Sequence, residues 1–335
     1  MLILTQKEIQ KILPLKEIKK VIEVVEKAFF DYGKGRVQMP SKLYLNFKKF
    51  NGDLRIMPSF SEALEMAGTK IVNVHPENPR LRQGFGGQAK KGLKTVMAVI
   101  VLNDPKTGMP LALMDGTYIT ALRTGAASAV ATKYLAKKSA QSLGVIGAGS
   151  QALTQIAAIF KIRAIKEIAV YDIKKGAVES LAKLLASEKI KIKKASLKEA
   201  VQKDILVTAT PAREPVVKKE WILPGTHING IGADAAGKEE LEPEILKKAK
   251  IVIDCWEQAS HSGEINVPLA KGIISQKDIY ASLGEIVSGK KRGRENDKEV
   301  TIFDSTGLAI QDLYTANLVY ELAKRKKIGR EIKII

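Results

Sequence analysis

Cysteine and histidine are scarce in this 335-residue chain, which holds one cysteine, Cys255, and three scattered histidines, His75, His227 and His261. A lone thiol excludes an intramolecular disulfide framework, and the histidine positions offer no zinc-ligand spacing, so no structural metal is expected. Aromatic residues reach only 5%, too few to interleave with basic side chains as a stacking platform for nucleic acid. No apolar run approaches the roughly 18 to 20 residues of a membrane helix, and lysines interrupt residues 1–14 where a signal peptide needs an apolar stretch. These absences predict a cytoplasmic globule without a membrane partner. Acidic residues are outnumbered by basic ones, 36 to 55, for a net charge of +19. Such an excess raises the question of nucleic acid. Here the basic residues recur on helical faces and near chain ends (Lys174, Lys175, Lys247, Lys248, Lys290, Lys291, Arg292), which reads as solvated surface with no specific nucleic-acid partner.

What is present describes a globular chain, 45% hydrophobic and 27% charged with 26 glycines and 12 prolines, long enough for two domains. Apolar residues Ile18, Val21, Ile22, Val25 and Phe29 fall at helical spacing and stop at Gly33 and Gly35, predicting a helix over 15–32. Apolar and alternating runs at 41–47, 54–58, 68–75, 95–103 and 110–115, punctuated by glycine and proline, predict an antiparallel sheet. Between them, residues 76–92 are rich in glycine and charge without hydrophobic period. A phosphate cradle at Gly84, Gly86 and Gly87 is conceivable, but a surface loop fits better. From residue 140 onward, strand-like runs (142–147, 165–172, 190–195, 204–210, 226–232, 250–255) alternate with helix-like ones (150–160, 174–187, 197–201, 242–248). That alternation implies right-handed crossovers and a Rossmann-type, doubly wound parallel sheet. A last strand at 300–304 leads to a long amphipathic helix from 309 to about 327, expected to return to the first domain and make it discontinuous. The fold class is therefore α/β, with the Rossmann-type domain at 124–309 and a discontinuous α+β domain at 1–123 plus 310–335.

The strongest motif is Gly147-Ala-Gly149-Ser150-Gln151-Ala152, a G-x-G-x-x-A fingerprint after a buried strand and at the opening of a helix. Its glycines permit a tight turn and let backbone amides approach a pyrophosphate at the helix N-terminus. Asp172, at the end of the next strand, is placed to receive ribose hydroxyls and would repel a 2'-phosphate, favouring NAD over NADP, although Lys174 and Lys175 weigh the other way. Ligands bind beyond the carboxyl ends of parallel strands. Two more loops belong there, Thr208-Ala-Thr210-Pro211 and Gly230-Ile-Gly232-Ala-Asp234. Thr210 and Pro211 read equally well as a plain strand exit. Asp234, beside Lys238, could exchange a proton with substrate, though spacing alone reads it as the cap of a helix beginning near Gly237. Lys42, Arg55, Lys70 and Arg123 lie within or beside apolar segments, where burial without an anion is costly. Taken singly, each reads as a surface side chain with its stem on apolar ground.

Together these stretches resemble the ornithine cyclodeaminase and mu-crystallin family. The residues that carry the resemblance are Gly68-Thr-Lys70-Ile-Val-Asn-Val-His-Pro-Glu-Asn-Pro79, Leu122-Arg123-Thr-Gly-Ala-Ala-Ser128, the glycine turn at 145–151, Asn229-Gly-Ile-Gly-Ala-Asp234-Ala-Ala-Gly-Lys238, Ser262-Gly-Glu264 and Phe303-Asp-Ser305-Thr-Gly307-Leu-Ala-Ile-Gln-Asp312. They span nearly the whole chain, which looks most like the archaeal-type alanine dehydrogenase branch. The resemblance implies a homodimer whose first domain binds substrate and forms the subunit interface, while the second holds NAD. It further implies carboxylate-binding cations at Lys70 and Arg123, an acid/base aspartate at Asp234 with Lys238 close by, and branch-specific basic positions at Lys42 and Arg55. Cofactor contacts would fall on Gly147, Gly149, Ser150, Gln151, Asp172, Thr208, Thr210, Pro211, Gly232, Ser305 and Gly307.

Ornithine cyclodeaminases carry a glutamate before their Met-Pro, where this chain has Arg55-Ile-Met-Pro58. An arginine repels the ornithine ammonium and favours a small uncharged side chain or a cyclic imino acid. The resemblance thus implies L-alanine oxidation to pyruvate and ammonia, with ornithine cyclodeamination or reduction of a cyclic ketimine such as pyrroline-2-carboxylate as alternatives, and a cofactor-bound ligand carrier as a third. Residues 80–92 look longer than the usual connection; a tolerated surface insertion is preferred there to a lid over the substrate.

Overall fold

The computed structural model describes residues 1–76, 78 and 93–333, so the loop glycines Gly84, Gly86 and Gly87 and the 80–92 insertion lie outside the described residues. The chain forms two compact units: Met1–Leu13, Val37–Thr120 and Asp312–Ile335 make the first, and Pro14–Arg36 with Ala121–Gln311 the second. Residues 14–36, grouped with the first domain on sequence, thus pack in the second unit. The reason is the apolar face of the helix Ile18–Gly33, which lies against the helices Leu283–Val287 and Ala152–Ile162, with Phe29 edge-on to Phe303.

The first unit is built on an eight-stranded sheet. Its strands are Leu2–Leu4 (β1), Val37–Gln38 (β2), Leu43–Phe47 (β3), Gly52–Ser61 (β4), Met66–Val74 (β5), Val96–Asn103 (β6) and Pro110–Asp115 (β7), completed by an eighth near the C-terminus. From β2 and β3 through β7 the pairing is antiparallel, as the alternation predicts, whereas β1 joins β7 in parallel. Strands of two or three residues are too short for alternation to reveal them. Register decides what each face carries. One row across the sheet is Tyr44, Arg55, Val72 and Ala98, and the next is Met57, Lys70, Ile100 and Met114. Arg55, Met57, Lys70, Val72, Ala98, Ile100 and Met114 are buried. The opposite face carries the row Leu43, Ile56, Ile71 and Val99, of which Leu43 and Val99 are exposed. The helix Ala309–Lys326 is pinned to this sheet by Tyr314, whose hydroxyl lies 2.7 Å from Ser61 Oγ in a fully buried contact.

The second unit contains an all-parallel sheet formed by Ser142–Ile146 (β8), Glu167–Tyr171 (β9), Lys193–Lys194 (β10), Ile205–Thr208 (β11), His227–Gly230 (β12), Lys250–Ile253 (β13), Ile279–Ser282 (β14) and Thr301–Asp304 (β15). Its order is β10-β9-β8-β11-β12-β15-β13-β14, so β9 and β10 extend to one side of β8 and the later strands to the other, with the last strand, β15, inserted between β12 and β13. This is the doubly wound Rossmann topology that the strand-helix alternation predicts. In the first unit, Arg330–Glu331 (β16) pairs with β1. The helix Gly116–Leu135 is the main element that the sequence patterning does not reveal. Residues 122–132 are all buried, so the helix has no polar stripe to set a period there. No helix among the described residues is long and apolar enough to cross a membrane.

Substituting Tyr314→Phe leaves Ser61 Oγ without its hydroxyl partner in a buried position. The variant is expected to unfold with about 1 to 2 kcal/mol less stability and an unchanged denaturant slope, measured by urea titration.

Candidate active site

The strand order reverses between β8 and β11, and the loops leaving these two strands meet there. Gly147 adopts φ +97° and its amide donates to Tyr171 O at 2.8 Å. A Cβ at this position would lie 2.6 Å from Ala209 O, so both backbone angle and space require glycine. At Gly149 a Cβ would meet nothing within 4 Å, which leaves the turn open on its outer side. Ser150 and Gln151 lead from the turn into the helix Ala152–Ile162. Asp172 follows β9 and reaches back to the turn: its Oδ2 accepts from Ala148 N at 2.7 Å and its Oδ1 from Lys174 N at 2.7 Å. Gly147, Gly149 and Asp172 are thus brought together as their order in sequence predicts.

Further along the carboxyl edge, Thr208 ends β11 in a buried position and Thr210 donates both its amide and its hydroxyl to Glu240 Oε1, each at 2.7 Å. Pro211 follows and is exposed. Gly232, beyond β12, donates its amide to Glu240 Oε2 at 2.9 Å. Gln151 Oε1 and Ser305 Oγ are among the polar atoms at this edge that are buried without a hydrogen-bond partner among the described residues. Buried polar atoms need partners, and an open glycine turn with an acid at the next strand end offers a dinucleotide both a pyrophosphate seat and a ribose acceptor. The residues present fit such a group.

Asp234 does not cap a helix; the next helix begins only at Pro243. Instead its Oδ1 receives Lys238 Nζ at 2.6 Å, and its side chain keeps 39% of its surface exposed. The carboxylate is oriented by one cation and still reachable by solvent, the condition for exchanging protons.

The cations that sequence alone reads as surface side chains are mostly buried. Lys70, 2% exposed, pairs with Asp312 at 2.6 Å inside the first unit. Arg55 meets Asp53 through two bonds, 2.8 Å from Nε and 3.0 Å from Nη2, and stands 5.3 Å from the centre of the Tyr44 ring. Register puts Arg55 and Lys70 on one face as diagonal neighbours, and Lys42 lies just before β3, half-buried. In the second unit, Arg123 is buried and donates to Gln311 Oε1 at 3.1 Å. A Cβ on Gly307 would fall 2.5 Å from this guanidinium. Asp254 holds that loop by accepting from Thr306 N at 2.6 Å and Gly307 N at 2.8 Å. The partners Asp53, Asp254, Glu240 and Asp312 went unnoticed in the sequence. For Asp53 and Asp312 the only signal was the cost of burying an unpaired cation, which does not say which acid answers; Asp254 and Glu240, which accept from loop amides, gave no signal at all.

Behind the strand exits lies a group of buried acids. Glu264 Oε2 accepts from the amides of Glu240 and Leu241, and burial, reinforced by the Glu240 charge, pushes its carboxyl well up. Asp304, at the end of β15, is fully buried near Asp254; burial first, then the Asp254 charge, raise it to about 8.

An all-parallel sheet of this order, with a glycine turn at its reversal point and an acid at the end of the next strand, defines a Rossmann-type dinucleotide-binding protein. More particularly, the chain belongs to the ornithine cyclodeaminase/mu-crystallin family, whose model matches residues 2–327. It is 49% identical to the alanine dehydrogenase of Archaeoglobus fulgidus over 332 residues, 99% of this chain and 98% of that protein. Among solved structures it is similar to an archaeal alanine dehydrogenase dimer with bound NAD, at 48% identity and a TM-score of 0.92 over 100% of this chain and 99% of that one. It is also similar to the Thermococcus litoralis Δ1-pyrroline-2-carboxylate reductase in complex with NADH and L-proline. There the identity is 44% and the TM-score 0.91, over 99% of this chain and 100% of that one.

Folded Asp304 keeps a proton that the unfolded chain releases above about pH 4, so stability falls as pH rises from there to about 8. Asp304→Asn removes this slope. Its stability relative to the parent is expected to climb between about pH 5 and about pH 8, by up to ~1.4 kcal/mol per pH unit, measured by urea unfolding at both ends; a flat difference would mean an ionised Asp304.

Proposed function

We propose that the chain is an NAD-dependent dehydrogenase of a small L-amino acid, converting L-alanine, NAD and water to pyruvate, ammonia and NADH. The observation that carries this reading is the pair of cations, Arg55 and Lys70, buried on one face of the first unit's sheet. Two neighbouring cations suit the carboxylate shared by all amino acids and repel a second ammonium, which weighs against ornithine. The similarity to alanine dehydrogenases over almost the whole chain supports the same choice.

The residues divide the work. Gly147, Gly149, Ser150 and Gln151 would receive the pyrophosphate of NAD, Asp172 the adenosine ribose, and Thr208, Thr210, Pro211, Gly232, Ser305 and Gly307 the remainder. When bound, NAD supplies the acceptor for the hydride of the substrate Cα. Lys70 and Arg123, with Arg55 and Lys42, bind the substrate carboxylate and so orient Cα. Asp234 takes a proton from the substrate nitrogen, or from the water that adds to the imine carbon, and Lys238 keeps its carboxylate in place.

A homodimer is part of this proposal. The outer row of the first unit's sheet, Leu43, Ile56, Ile71 and Val99, is continuous and apolar, with Leu43 51% and Val99 42% exposed. A contiguous apolar sheet face of this kind calls for a partner surface. A cytoplasmic location accords with the single buried cysteine. A second reading, NADH-dependent reduction of Δ1-pyrroline-2-carboxylate, is favoured by the similarity to the T. litoralis enzyme, since the same cations suit the carboxylate of a cyclic imine.

Purified protein with NAD and, in turn, L-alanine, L-ornithine and L-proline, followed by NADH absorbance with ammonia assayed in parallel, tests the reading. NADH with alanine is expected. Ammonia from ornithine without net NADH would replace it with cyclodeamination, and consumption of NADH by the cyclic imine alone would select the second reading. Asp234→Asn is expected to lower kcat by about 10² to 10⁴ while NADH affinity stays unchanged; equal losses in both would remove Asp234 from the proton-transfer role. Val99→Arg is expected to shift the protein to monomer in sedimentation.

A further inference from the structure

Glu240 has no surface exposed, yet its carboxylate is the meeting point of two separate strand exits. Oε1 accepts from both the amide and the hydroxyl of Thr210, which leaves β11, and Oε2 accepts from the amide of Gly232, which leaves β12. The fit is tight: a Cβ on Gly232 would fall 2.5 Å from Glu240 Oε2 and 2.2 Å from Thr210 O. Both exits carry residues assigned above to the reaction. Pro211 follows Thr210, with its φ locked by the ring, and Asp234 stands two residues beyond Gly232, its amide donating to Gly232 O at 2.9 Å.

The carboxylate is itself held from behind. The Glu240 amide donates to Glu264 Oε2 at 3.0 Å, and its carbonyl accepts from Val216 N and Val217 N at 2.8 and 2.9 Å. Burial pushes the Glu240 carboxyl up, and the three donors that converge on its two oxygens oppose that push, favouring an acceptor-only group. The amide of a glutamine would turn an NH₂ toward at least one of these donors. A fully buried carboxylate next to a second buried acid, Glu264, is an expensive way to close two loops, and a merely structural link could be made with neutral groups.

We propose that Glu240 is a positioning residue for the reaction: by joining the exits of β11 and β12 through one carboxylate, it fixes Thr210–Pro211 and Asp234 in their places along the nicotinamide half of the bound dinucleotide. This rests on the NAD reading of the site given above. With Gly147 and Gly149 holding the pyrophosphate and Asp172 the adenosine ribose, the residues left to hold the nicotinamide half would be those at the β11 and β12 exits. Glu240 therefore acts on one half of the cofactor site and leaves the other alone.

The test compares two probes on wild type and Glu240→Gln, NADH and ADP-ribose, the latter lacking the nicotinamide. Binding is read by fluorescence for NADH and by calorimetry for ADP-ribose. Glu240→Gln is expected to weaken NADH by about tenfold, the size of one lost charge-assisted hydrogen bond, while ADP-ribose binds as to wild type. In turnover, kcat should fall by at least about tenfold with a smaller change in KM for the amino acid. Equal weakening of both probes, or NADH binding indistinguishable from wild type, overturns the proposal. Thr210→Val removes one of the three donors and keeps the backbone intact. It is expected to show the same selective loss at about threefold, and decides the matter should Glu240→Gln not fold; equal behaviour of the two probes in that variant overturns the proposal as well. Because the comparison needs no substrate, it stands apart from the identity of the amino acid. Failure of wild type to bind NADH at all would strike the cofactor reading instead.

Discussion

A parallel strand that stops at its carboxyl end leaves amide groups of the following loop pointing into the protein with no ladder to join. In the second unit these amides are met by carboxylates, all of them buried except the half-buried Asp172. Asp172 takes Ala148, Glu240 takes Thr210 and Gly232, Glu264 takes Glu240 and Leu241, and Asp254 takes Thr306 and Gly307. Each acceptor satisfies donors that would otherwise be buried unpaired, at a cost of about 1 to 3 kcal/mol apiece. The price is a crowd of acids within one sheet edge, resolved by holding some of them neutral. Burial and the Asp254 charge keep Asp304 protonated near neutral pH, and Glu264 is driven the same way beside Glu240. The loops that line the proposed cofactor site are thus tied down by the acids beneath them.

The first unit meets the converse problem. Its sheet buries cations, and it answers them with acids at hand: Asp53 two residues from Arg55, and Asp312 brought from the far end of the chain to Lys70. A buried pair of this kind is weak evidence for stability, because desolvation consumes much of the attraction. Its persistence on a face that otherwise carries Met57, Val72 and Ile100 is better explained by a ligand with a carboxylate, which is what a dehydrogenase of small amino acids requires.

Much of this was legible in the residues. The glycine turn and Asp172 stood out because dinucleotide binding demands a fixed order of strand, turn, helix and acid, and the alternation after residue 140 announced the parallel sheet. Arg55, in the place of a glutamate, already pointed away from ornithine. The helix Gly116–Leu135 was invisible because its residues 122–132 are all buried, leaving no polar stripe there. Asp312 and Asp53 were invisible for a different reason: sequence shows that a buried cation needs an anion, but the choice among 36 acidic residues is made by tertiary folding. For Asp234 spacing alone reads a helix cap, but the next helix begins only at Pro243 and the carboxylate pairs instead with Lys238, the neighbour already set beside it in the acid/base reading.

The first unit takes the last two strands at one edge of its sheet from opposite ends of the sequence: β1 at Leu2–Leu4 pairs with β16 at Arg330–Glu331, and Lys70 waits for Asp312. The second unit draws its sheet from one stretch, Ser142 to Asp304. On a ribosome emitting the chain from its N-terminus, the second unit's sheet can therefore close while the first unit's sheet still lacks an edge and its central lysine still lacks a counter-ion. The order of synthesis places completion of the first unit's sheet among the last events in the making of the molecule, after the helix Ala309–Lys326 has emerged.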